Sequence, residues 1–111
     1  MARFVTIRYG DREGYEATDP AALALAHEHD ERLQADGVEI GIAGTPTQVR
    51  NTDGAGVTTT EGPFMSSALP VAGFSIIEAR TLEEAVEMVS HSPCAVARGV
   101  VEVWPLLDPS A

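Results

Sequence analysis

Hydrophobic and polar positions alternate, break and resume along the chain in a pattern that predicts ten-odd short segments rather than a few long ones. Arg3-Phe4-Val5-Thr6-Ile7-Arg8-Tyr9 is rich in β-branched and aromatic residues and reads as a first strand, stopped by Gly10-Asp11. A polar loop follows. Asp19-Pro20 then forms an N-cap with proline at the first helical position, so a helix is expected from about Pro20 to Asp36, with Gly37 as its stop. Val38, Ile40 and Ile42 alternate with Glu39 and Gly41, which predicts a strand with one buried face.

Gly44-Thr45-Pro46 ends that strand. Thr47–Arg50 and Val57–Thr60 flank the Gly-rich run from Asn51 to Gly56, the signature of a hairpin with a mobile tip. Met65 to Val71 reads as a loop. Ala72–Glu78 is almost wholly apolar, as a central strand is. Thr81-Leu82-Glu83-Glu84 is a capping box, and Leu82, Ala85, Val86 and Val89 make the core stripe of a second helix. Ser92-Pro93 stops it, and Gly99–Trp104 is the last strand. The order β-α-β, hairpin, β-α-β carries no repeat and no linker, so residues 1–111 are read as one α+β domain with helices on one face of a mainly antiparallel sheet. Several strands are apolar on both faces. The second face therefore predicts a homodimer closed sheet against sheet.

Composition narrows the function classes. A length of 111 residues and 44% hydrophobic content suit one globular core. The net charge is −10 and the seven basic residues, all Arg, are scattered, which argues against nucleic acid and anionic membranes as partners. No apolar run approaches the ~20 residues of a membrane helix. The first residues lead straight into strand sequence without signal-peptide organisation, and the single Cys94 forms no internal disulfide; both give a cytoplasmic expectation.

The run Thr60-Glu61-Gly62-Pro63-Phe64, then Val71–Ile77, Thr81–Ala85, Ser92-Pro93 and Gly99–Pro105, resembles the YCII-related, DGPF-type family over nearly the whole chain. Tyr9-Gly10-Asp11 and Asp36-Gly37-Val38 fit the same pattern. The resemblance implies a ferredoxin-like fold, a dimeric α+β barrel. In some relatives it implies a His-Asp pair in a cleft near the dimer interface. Here Glu61 stands where the family motif has Asp, and Met65–Pro70 replaces the polar Glu-Thr-Lys-Glu run that commonly follows. An extra methylene moves a carboxylate by roughly an ångström, and ~1 Å of misplacement can cost ~100-fold in a positioned reaction.

Asp11 and His27 match the positions of that pair. A carboxylate on one imidazole nitrogen fixes the tautomer and leaves the other nitrogen as a base. Two readings stay open: the dyad, or a turn aspartate and a solvated helix histidine. Ala22, Ala26 and Leu33 define the helix's core face; at 100° per residue His29 falls within about 40° of Leu33 and His27 about 120° away. His29 is thus expected half-buried and structural, with His27 at the flank. His91 suits the end of the second helix dipole. His27 shares a helix face with Asp30 and Glu31, yet no metal site is expected. No cofactor is expected either, since Gly54-Ala55-Gly56 lacks the Lys-Ser/Thr of a phosphate loop. Two functions follow. One is a small-molecule enzyme of lyase or isomerase type, with His27 as base, Asp11 orienting it, and Glu61, Gly62, Pro63, Phe64 and Ser66 shaping a pocket. The other is a non-catalytic dimeric module that binds a ligand or regulates.

Overall fold

The structure is a computed structural model that describes residues 1–110. The chain forms β1 (Ala2–Tyr9), α1 (Arg12–Glu16), α2 (Pro20–Ala35), β2 (Glu39–Ile42), β3 (Thr47–Arg50), β4 (Thr58–Glu61), β5 (Val71–Ala79), α3 (Leu82–Ser90), α4 (Pro93–Val96) and β6 (Val100–Leu106). The main sheet has the order β2-β5-β1-β6, with every neighbouring pair antiparallel. β1 and β5 lie at its centre, which explains why Val71–Ala79 is nearly all apolar. This is an α+β architecture in which two split β-α-β units interleave, as in ferredoxin-like folds.

β3 and β4 form a separate two-stranded sheet. This hairpin leaves the body as an arm, and its tip closes through a 3₁₀ turn at Thr52–Gly54, with Asn51 Oδ1 accepting from Gly56 N at 3.0 Å. The arm stretches the molecule to 53 × 37 × 21 Å with a radius of gyration of 16.1 Å. A compact chain of this length has a radius near 13 Å.

The core lies between the helices and one sheet face. Phe4, Ile77, Ala79, Ala85 and Val89 form it, with Val38, Met88, Val101 and Val103 packed around them. Several local expectations need correction. Residues after Asp11 are helical, because the Asp11 carboxylate caps α1 by accepting from Gly14 N at 2.8 Å. Ile42 does not share a buried face with Ile40: it ends an edge strand opposite Gly73, beyond the helices, and is 94% exposed. Leu82 and Val86 are about half-exposed, because Ala85 lets α3 sit close to the sheet on an Ala85–Met88–Val89 seam. Thr81 Oγ1 accepts from Glu84 N at 3.1 Å as the capping box requires, but the Glu84 carboxylate turns to Arg80, taking its Nε at 3.0 Å. The segment after Ser92-Pro93 forms the extra turn α4 rather than a bare stop, with proline at its N-terminus, where no amide is needed.

The second sheet face has no helix on it. Val5, Ile7, Phe74, Ile76, Trp104 and Leu106 alternate onto it, and Phe74, Trp104 and Leu106 are 44, 55 and 50% exposed. No helix among the described residues is long and apolar enough to cross a membrane.

Candidate functional site

On the helix side of the sheet, β1 alternation sends Phe4, Thr6 and Arg8 toward the helices. Thr6 finds the Ser75 hydroxyl across the strand pair. Arg8 reaches Asp30 of α2 in a two-pronged ion pair, Nη1 to Oδ2 at 2.6 Å and Nη2 to Oδ1 at 3.0 Å. Both side chains are largely buried, and Arg8 Nε has no partner among the described residues. Beside this pair, Tyr15 Oη lies 3.3 Å from the buried Cys94 Sγ. Burial, and then the contact with Cys94, push the Tyr15 phenol well above its ordinary pKa, so it stays protonated.

His27 is exposed and stacks on Tyr15, ring centroids 6.5 Å apart and planes 17° from parallel. Asp11 is occupied as the α1 cap, and no hydrogen bond joins it to His27 among the described residues. His29 is half-buried. Its Nε2 donates to the Met88 carbonyl at 2.6 Å and its ring meets His91 edge-on at 5.7 Å, so it ties α2 to α3. His91 caps the end of α3 and lies 3.6 Å from Glu87. Among the described residues no cluster of three His, Cys, Asp or Glu side chains is arranged to hold a metal ion.

A second region lies where the arm meets the open end of the sheet. A groove of about 1260 Å³ runs between β3, the segment after β4 and the start of β5. Gly62, Pro63, Phe64 and Ser66 all line it; Glu61, which ends β4 opposite Thr47, does not. Gly62 has φ +112°, a backbone state that side chains resist, so glycine is required at this corner. Its amide donates to the Pro46 carbonyl at 2.9 Å, and its carbonyl accepts from Gln48 Nε2 at 3.0 Å. Gln48 Oε1 in turn accepts from Arg50 Nη2 at 2.8 Å, and the Arg50 guanidinium sits 5.7 Å from the centre of the Phe64 ring. Phe74 supplies apolar surface to the same groove.

The structure thus gathers four of the five residues expected around a pocket and leaves Asp11 and His27 outside the groove, each with another partner. The sequence singles out none of Arg8, Tyr15, Gln48 and Arg50, and names Asp30 only as a neighbour of His27 on its helix face. Arg8 alone had a legible signal: an arginine in phase with Phe4 and Thr6 on an alternating strand requires a buried counter-ion. The model of the YCII-related domain family matches residues 2–109. No curated protein matches the chain.

Proposed function

The chain belongs to the YCII-related domain family, and from that premise we propose that it is a one-domain, homodimeric small-molecule-binding module. In this reading two copies pair through the open sheet face, and the ligand sits between the arm and β5. The observation that carries it is the groove itself, in which Gly62, Pro63, Phe64 and Ser66 converge with Arg50 and Gln48 on one concave, mainly apolar wall. Closed ligand sites enclose ~300–1,000 Å³. A larger groove open on one side fits a site that a second copy narrows. The exposed Phe74, Trp104 and Leu106 supply the apolar patch for that contact. A cytoplasmic location agrees with a chain whose one cysteine is unpaired.

A second reading, acid–base chemistry by His27 oriented by Asp11, is favoured by one observation. His27 stacks on Tyr15 at the margin of a buried polar cluster that holds Arg8, Asp30 and Cys94. One experiment separates the two readings. A metabolite library is screened by thermal shift against wild type, Phe64→Ala and His27→Ala. A ligand present at ~100 times its Kd raises the midpoint by about 10 °C. The binding reading expects this shift to vanish in Phe64→Ala and persist in His27→Ala. The reverse pattern moves the site to His27. Sedimentation showing only monomer at micromolar concentration overturns the dimer.

A further inference from the structure

The Met65–Leu69 segment has the groove on one side and a second, separate cleft of about 360 Å³ on the other. Tyr9, Val100, Glu102 and Trp104 of the open sheet face form one wall, and Met65 and Ser66 contribute to the other. Glu102 is the one charged side chain among the described residues that line it. Its strand phase is opposite to Val101 and Val103, which pack into the core, so it stands on the open face across from Ile7.

Two donors fix that carboxylate. Tyr9 Oη donates to Glu102 Oε1 at 2.7 Å, and Trp104 Nε1 donates to the same oxygen at 3.3 Å. Oε2 accepts no hydrogen bond from the described residues. Tyr9 is 7% exposed, so its phenol is a built-in donor rather than a surface contact. The bond to Glu102, aided by burial, raises the Tyr9 pKa, which keeps that donor protonated. Trp104 leaves its indole 55% exposed beside the carboxylate.

We propose that this cleft is a recognition site for a small organic ammonium, with Glu102 Oε2 taking the charged N–H and the Trp104 indole taking the cation's apolar face. The choice of a cation follows from charge. A carboxylate covered by a neutral guest loses water without gaining a counter-charge, which is costly. An anion meets Glu102 and a chain of net charge −10. An indole is the aromatic face that holds cations best. The cleft shares the Met65–Leu69 segment with the groove but not the residues that recognise the guest, and it opens on the sheet face proposed for the second copy, so guest binding and pairing compete for the Trp104 indole.

Benzylammonium at pH 7 is the probe, and benzyl alcohol its neutral counterpart, both titrated by calorimetry into the full chain. Benzylammonium is expected to saturate at one per chain. Glu102→Gln keeps an acceptor for Tyr9 and Trp104 and is expected to weaken benzylammonium by ~10-fold or more. Trp104→Leu weakens it by ~2–5-fold. Benzyl alcohol is expected to treat wild type and Glu102→Gln alike. Glu83→Gln, which makes the same charge change on an exposed turn of α3, leaves the affinity unaltered; far-UV circular dichroism checks that every variant is folded. Equal benzylammonium affinity in wild type and Glu102→Gln, or no saturation, overturns the site. So does a Glu102→Gln variant that shifts dimer dissociation without touching benzylammonium, because Glu102 then pairs with a second copy.

Discussion

Removing one half of the Arg8–Asp30 pair is the sharpest perturbation of this fold. Asp30→Ala strips two charge-assisted hydrogen bonds, at 2.6 and 3.0 Å, from a guanidinium whose side chain is 6% exposed. That guanidinium already has an unpartnered Nε, so nothing nearby takes up the freed donors. Breaking a buried pair from one side costs ~3–5 kcal/mol, against a total stability of ~5–15 kcal/mol for a domain of this size. With ~2.1 cal/mol/K of unfolding entropy per residue, a chain of 111 residues loses about 13–21 °C from its midpoint. The assay is urea unfolding by far-UV circular dichroism at one fixed chain concentration, since the proposed dimerisation makes stability depend on concentration. The double variant Arg8→Met, Asp30→Leu is expected to recover most of the loss, because the desolvation cost disappears with the charges. A loss below ~1 kcal/mol in Asp30→Ala refutes the reasoning: the pair then behaves as a solvated surface bridge.

Two further outcomes follow from contacts elsewhere in the fold. Both tyrosines have pKa values raised above 10.0 in the folded chain, Tyr9 mainly by its bond to Glu102 and Tyr15 mainly by burial. The folded state holds protons that the unfolded chain releases, so this contribution to stability is full below about pH 10 and is lost as pH rises beyond it. At pH 10 the 295 nm phenolate absorbance of native protein is expected to be well below that of urea-unfolded protein; equal values contradict both assignments. Gly99→Ala drives a Cβ into the Tyr9 carbonyl oxygen and to 2.6 Å from that of Cys94, where only backbone can give way. A loss of ~1–3 kcal/mol is expected by urea unfolding, and an unchanged midpoint shows that β6 seats on β1 without this close approach.

What the sequence determined by itself is local. Alternation named the strands, and Asp19-Pro20 and Thr81–Glu84 placed the helix starts, because each depends on the few residues around it. The His27 flank position and the half-buried His29 followed from 100° steps along one helix and hold in the structure. The sites are another matter. Asp11 reads as a dyad member or a turn residue; its cap on Gly14 N, three positions on, is local, whereas its distance from His27 is set by the fold. Arg8 with Asp30, Tyr15 with Cys94, and Tyr9 with Glu102 meet across 22, 79 and 93 positions of chain. No local pattern encodes such pairs. The sheet order β2-β5-β1-β6 brings distant strands side by side, and burial makes an unmet charge or hydroxyl costly, so tertiary structure alone decides which partners satisfy them.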